Sequence, residues 1–261
     1  MSEHWVYLND RFCLESQAMI PIHDRGFLFG EGIFTTIRID QGNCEFFSAH
    51  LQRLQQQTAE LGMICPFISL ELIHQLIQKN QADQGIWRLK IIVTAQTLLM
   101  TLIPYVKHSN ESVHLTCFPQ PVERPTAGLK SLAYLDCLRV KQFAEHSGFT
   151  DAILANSQGI LLETGQSNIF YIFEEVCYVP DFALPYLKGV FLQMLLSDLN
   201  CPIQGVNWRL EQLPAQAAIY ICNSMTHVRP VTAIDQQQWL RQERWEKHFQ
   251  EITIQALQMN S

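Results

Sequence analysis

Between Ile33 and Leu61 the apolar residues change period, and a chain that must bury both patterns together packs helices on strands. Ile33-Phe-Thr-Thr-Ile-Arg-Ile39 is β-branched and runs into the turn signal Asp40-Gln-Gly42, which predicts a strand over 33–39. From Ser48 to Leu61 the period becomes helical. Leu51, Leu54, Thr58 and Leu61 fall on one stripe, with Ser48 as the expected cap and Gly62 as the stop. The same reading predicts strands over 3–9 and 87–95 and a helix over 69–80. Strands and helices alternate here without the strict rhythm of a doubly wound sheet.

The stretch 103–111 loses periodicity and gains polarity, which predicts a linker at 106–111. It would separate a small N-terminal α+β domain (1–105) from a larger C-terminal domain (112–261). In the second part the pattern predicts strands over 113–118, 152–155, 160–162, 168–173 and 218–222. Helices are expected over 132–148, 190–199 and 239–259, and Pro119–Pro125 cannot be regular. The expected class is α+β in two domains.

Composition narrows the function. The 261 residues are 48% hydrophobic and 16% charged, with a net charge of −7, so the chain has material for real cores. Its 18 Lys and Arg form no runs, which argues against nucleic acid or an anionic membrane as partner. No apolar run reaches the ~18 residues of a membrane span. The eight cysteines form no CxxC pair and match neither a zinc site nor a disulfide framework. Free buried thiols and a start without a signal-peptide pattern give the expectation of a cytoplasmic protein. The histidines show no HxxxH or HExxH spacing, so no metal is expected.

Gly26-Phe-Leu-Phe-Gly30-Glu-Gly32 fits no phosphate-loop spacing. It is expected to be a turn where backbone passes close to another segment. Lys130 lies between a Pro-rich loop and an apolar stretch. Such surroundings disfavour an ammonium and free a nucleophilic amine, although a lysine reaching to solvent has the same local sequence. Glu163, at the end of a short strand, could hold a protonated ring nitrogen or face water in a turn. Arg53 could anchor a phosphate or face solvent. Cys222-Asn-Ser224-Met-Thr226 offers hydroxyl and backbone donors suited to an anion.

Taken in order, Asp24-Arg-Gly26 through Gly32-Ile-Phe34, His50-Leu-Gln-Arg53-Leu54, Leu129-Lys130-Ser-Leu, Glu163 through Asn168-Ile-Phe, and Leu187-Lys-Gly189-Val resemble the fold-type IV pyridoxal-phosphate enzymes. That family holds branched-chain and D-amino-acid aminotransferases and 4-amino-4-deoxychorismate lyases. The resemblance runs from about Asn9 to Pro230. It implies a small sandwich-like N-terminal domain, a larger C-terminal domain with a pseudo-barrel, a pyridoxal 5'-phosphate cofactor, a small-molecule substrate and a homodimer. Carried over residue by residue, Lys130 takes the position of the lysine that binds the cofactor and moves the proton. Glu163 pairs with the pyridine nitrogen and Arg53 clamps the phosphate. Val190, after Gly189, offers backbone N–H groups to that phosphate, as Ser224 offers its hydroxyl. Tyr134 falls near the position that touches the ring oxygen.

The sequence departs from the family in three places. The usual Gly-Ile-Thr-Arg reads Gly189-Val-Phe191-Leu192, without the phosphate-binding hydroxyl. Ala133 stands where an Asn is common. The strand that usually ends in Arg-Gly before a long loop reads Val93-Thr-Ala95-Gln96, so the substrate-carboxylate arginine is missing, and Arg38, Arg88 and Arg229 become candidate replacements. Within the family, Phe34-Thr35-Thr36 and Cys222-Asn223 resemble the lyases, with Thr36 the candidate participant in elimination. The aminotransferases tend to carry Glu followed by Gly or Val after the aromatic. The resemblance therefore implies an aminodeoxychorismate lyase giving 4-aminobenzoate and pyruvate for folate biosynthesis. An aminotransferase is the alternative, and a scaffold that has lost catalysis a third.

Overall fold

The computed structural model of the protein describes residues 3–106, 112–123 and 125–259, so the expected linker lies, apart from Val106, outside the described residues. The chain divides into two compact units. The first is Met1–Lys107 with Leu129–Tyr134 and Leu257–Ser261, and the second is His108–Gly128 with Leu135–Ala256.

The first unit contains β1 (Trp5–Leu8), β2 (Arg11–Leu14), α1 (Arg25–Phe29), β3 (Ile33–Asp40), β4 (Asn43–Cys44), α2 (Phe47–Glu60), α3 (Leu70–Lys79), β5 (Ile86–Val93) and β6 (Leu98–Pro104). Its six strands form one antiparallel sheet in the order β2-β1-β6-β5-β3-β4. Because strand side chains alternate, Ile33, Ile37 and Ile39 of β3 face the same way as Leu89, Ile91 and Val93 of β5. They pack against Leu54 of α2 and Ile73, Leu76 and Ile77 of α3. The opposite face of the sheet carries Phe34, Thr36 and Arg38, level with Ile92, Lys90 and Arg88.

The second unit contains β7 (Val113–Cys117), α4 (Leu135–His146), β8 (Asp151–Ala155), β9 (Leu161–Thr164), β10 (Asn168–Phe173), β11 (Val176–Pro180), α5 (Val190–Asp198), β12 (Ile203–Val206), β13 (Ala218–Asn223), β14 (His227–Ile234), β15 (Gln237–Gln238) and α6 (Glu243–Met259). The sheet runs β12-β11-β10-β13-β14-β7-β8-β9, with β15 on β14. It curls until the last strand, β9, packs beside β10 and β11, giving a half-barrel where the resemblance implied a pseudo-barrel. Ile153, Leu161, Ile169, Tyr171, Ile219 and Ile221 fill its interior. Outside, α4 covers Ala152 and Leu154 through Val140 and Ala144.

Three local expectations change. Helix α2 starts at Phe47, and its cap is Phe46 in the left-handed region without a side-chain bond, so Ser48 lies inside the helix. Helix α4 starts at Leu135 rather than Leu132. Residues 130–132 instead bond along β3, with Ser131 bridging Ile33 and the Lys130 carbonyl accepting from Phe34 N–H at 2.9 Å. Strand β5 ends at Val93, and residues 94–97 form a tight turn into β6, with Thr94 N–H donating to Thr97 O at 2.9 Å. The short loop read in the sequence is thus a hairpin turn.

Asp24 locks that turn. One carboxylate oxygen caps α1, accepting from Gly26 N–H at 2.7 Å, and the other accepts from the hydroxyls of Thr94 at 2.7 Å and Thr97 at 2.5 Å. A side chain at Gly26 would run into the Thr94 methyl, and one at Gly32 into Leu132, so the glycines do mark close backbone approach.

Candidate active site

In the first unit Lys130 is anchored by its backbone, its N–H donating to Gln57 Oε1 at 3.0 Å while its carbonyl takes the Phe34 N–H. Its Nζ lies 4.8 Å from the centre of the Phe34 ring and 5.3 Å from that of Tyr134, and the two rings meet edge to face at 5.3 Å. The structure thus brings Lys130 and Tyr134 together on Phe34. Thr36 lies on the Phe34 face of β3, directly opposite Lys90. Lys90 Nζ stands 4.4 Å from the centre of the same Phe34 ring. Burial, with help from the Arg88 charge, holds its pKa below the usual lysine range.

On the other face of β3, Thr35 is buried against α2. Arg53 Nη2 donates to Thr35 Oγ1 at 3.0 Å, and Thr35 Oγ1 lies 2.7 Å from His50 Nδ1. Burial lowers the pKa of Arg53 to about 10. Burial, then the charges of Arg53 and Lys130, holds His50 well below its ordinary value. The three arginines considered for a substrate carboxylate have different settings. Arg38 is engaged by Asp40 at 2.6 Å and Glu45 at 3.2 Å, in a pocket that leaves its side chain 7% exposed. Arg88 is exposed directly across from it, and Arg229 is half-buried on β14 opposite Ile221.

In the second unit Glu163 is buried on β9. Its negative charge, after burial, helps push the Tyr186 hydroxyl up, and it opposes the burial that lowers Lys188. Asn168, at the start of β10, ties down the entry to α5: its Nδ2 donates to Leu187 O at 2.6 Å and its Oδ1 accepts from Gly189 N–H at 3.1 Å. Helix α5 then begins at Val190, and its cap residue Gly189 supplies no side-chain bond. Phe191, in its first turn, stacks on His227 with ring centres 5.0 Å apart. That contact sets the helix start beside the turn joining β13 to β14. Asn223 Oδ1 shapes this turn by accepting from Met225 N–H and Thr226 N–H, both at 2.9 Å, and Ser224 sits half-buried within it.

Sequence reasoning missed Thr35, His50 and Lys90. A signal for the first two was present: Thr35 alternates with Ile33 and Ile37 on the core side, and His50 and Arg53 stand three apart on one helix face. Lys90 had none, because a lysine at a half-buried strand position reads like any other.

The family model described as amino-transferase class IV matches residues 32–234. Among curated relatives, D-alanine aminotransferase of Bacillus licheniformis is 25% identical over 259 residues, covering 89% of this chain and 89% of its own. Among solved structures, the branched-chain aminotransferase of Thermoproteus uzoniensis superposes with a TM-score of 0.86 at 19% identity, over 98% of this chain and 94% of that one. A putative 4-amino-4-deoxychorismate lyase of Legionella pneumophila gives a TM-score of 0.84 at 24% identity, over 93% and 97%. The fold is that of fold-type IV aminotransferases. With the family match spanning most of its length, from the Gly-rich turn through β14, the chain belongs to the class IV amino-transferase family.

Proposed function

We propose that the protein is a pyridoxal-phosphate-dependent aminodeoxychorismate lyase, releasing 4-aminobenzoate and pyruvate. The family is pyridoxal-phosphate dependent, and the donor set here suits that cofactor. Arg53 is a half-buried cation bonded to a neutral hydroxyl, α5 starts uncapped, and Glu163 is a buried carboxylate. In this reading Arg53, the Val190 N–H and Ser224 hold the phosphate, Glu163 keeps the pyridine nitrogen protonated, and Tyr134 lies by the ring oxygen. Pyridoxal phosphate supplies an aldehyde that bonds an amine and a ring that takes up electrons.

The observation that carries the lyase reading is the pairing of Thr36 with Lys90, opposite each other on the face where Lys130 Nζ meets the Phe34 ring. Lys130 would hold the cofactor and, as the base on this face, would remove the C4 proton of the substrate ring. The Thr36 hydroxyl assists as the ether C–O bond breaks and the departing enolpyruvyl group takes a proton to become pyruvate. The substrate is a dicarboxylate, and the Lys90 ammonium on this face suits one of its carboxylates. Arg88 and Arg229 remain candidates for the other, whereas Arg38 is held by its two acids. An aminotransferase needs no proton donor at the position of Thr36.

The exposed run Met19, Ile20, Ile22, Phe27, Leu28 and Phe29 supports a homodimer as part of this reading. The eight free cysteines accord with a reducing compartment such as the cytoplasm. The test supplies enzymatically made aminodeoxychorismate to cofactor-loaded protein and follows 4-aminobenzoate fluorescence. Product is expected from the wild type and none from Lys130→Ala, while Thr36→Ala should slow turnover about 100-fold. Amino transfer from D-alanine or a branched-chain amino acid without 4-aminobenzoate would replace the reading by an aminotransferase. Neither activity would leave a scaffold.

A further inference from the structure

Of the two threonines that follow Phe34, Thr35 points away from the face of Thr36, and its hydroxyl joins two side chains of α2. An arginine can only donate, so the 3.0 Å contact from Arg53 Nη2 uses the Thr35 oxygen as acceptor. The single hydroxyl proton is then free for His50 Nδ1, 2.7 Å away. With the imidazole uncharged through burial and the adjacent cations, the Thr35 proton is used in the tautomer that leaves Nδ1 unprotonated and puts the hydrogen on Nε2. In that tautomer the bonds run in one direction, from Arg53 through Thr35 to His50. Thr35 is 1% exposed and His50 0%, so solvent does not compete for either link.

Among the described residues no carboxylate pairs with Arg53. A half-buried cation gives up part of its hydration, and a guanidinium with one N–H bonded to a neutral hydroxyl keeps the rest of its planar fork for an anion. We propose that Thr35 and His50 are positioning residues that fix the Arg53 fork for the phosphate of the cofactor. This rests on the reading of Arg53 as the phosphate clamp. It gives the paired threonines separate tasks, Thr36 toward the substrate and Thr35 toward cofactor retention.

The test titrates cofactor-free protein with pyridoxal phosphate and with pyridoxal, following tryptophan fluorescence. The ratio of the two dissociation constants isolates the phosphate contact. Thr35→Val should shrink that ratio about tenfold with pyridoxal affinity held, and Thr35→Ser should restore it. A merely structural role would weaken both ligands alike and so overturn the proposal. If Arg53→Gln collapses the ratio while Thr35→Val leaves it intact, the relay is wrong and the clamp stands. If Arg53→Gln leaves it intact, the reading of Arg53 falls and the relay with it. Should Thr35→Val fail to fold, His50→Gln, which keeps an acceptor, is compared with His50→Leu, which does not. A larger ratio for Gln supports the relay, and equal ratios overturn it.

Discussion

His50 is a residue whose protonation the fold opposes. In the unfolded chain its imidazole takes a proton near the ordinary value of about 6.5. In the folded protein, burial and the charges of Arg53 and Lys130 defer that proton to far lower pH. Between those two values the unfolded state holds the extra proton, so acid favours unfolding. The contribution is complete above about pH 6.5 and falls by up to about 1.4 kcal/mol per pH unit below it. Urea unfolding at pH 7 and pH 5 should show a smaller pH-dependent loss in His50→Gln, which has no proton to take up, than in the wild type. Equal losses would mean that the folded imidazole accepts a proton as readily as the unfolded one. The sequence made Arg53 visible through its motif. The two residues that hold it were not visible, because their link depends on which face of β3 meets which face of α2.

At the scale of elements, the β5–β6 turn and the five-residue helix α1 stabilise each other through Asp24. Its carboxylate stays ionised below the usual aspartate range because the Thr97 and Thr94 hydroxyls and the Gly26 and Phe27 N–H groups together outweigh the opposing cost of burial. Asp24→Ala strands these donors and should cost about 2–4 kcal/mol in urea unfolding. Gly26→Ala should also destabilise, by about 1–3 kcal/mol, because the new methyl must displace Thr94. A loss below 1 kcal/mol in both variants would show that the turn closes without this lock. The elements legible in the sequence were those with a strong period and their own end signals. In α3, Ser69 caps the helix by accepting from Leu72 N–H at 3.2 Å, and β3 is rich in β-branched residues and runs into its own turn signal at Asp40–Gly42. Strands β2, β6, β11, β12 and β14 escaped notice. Most are short or lie where pairing with a neighbour, rather than an alternating pattern, decides the conformation. The expected helix starts at Leu135 rather than Leu132 for the same reason, since residues 130–132 find backbone partners on β3 that a local pattern does not reveal.

At the scale of the whole molecule, the exposed apolar run from Met19 to Phe29 bears on assembly. Phe27 is 72% exposed, Phe29 67% and Ile22 72%, on a segment held firmly by the Asp24 lock. Apolar side chains on a segment held in place lose little conformational entropy on docking, and exposed apolar runs of this kind suit a protein contact. With a net charge of −7, two copies repel at long range, so a contact between copies would come from apolar burial and should survive high salt. A closed two-fold pairing satisfies both copies at once. Sedimentation should therefore give twice the 30.1 kDa of one chain, at low and at high ionic strength alike. Phe27→Asp would place a carboxylate in that contact at the cost of a desolvated charge, and should shift the protein to monomer while leaving its thermal unfolding otherwise close to that of other dissociated variants. A wild-type protein that sediments as a single chain, or a Phe27→Asp variant that still pairs, would assign this surface to something other than self-association.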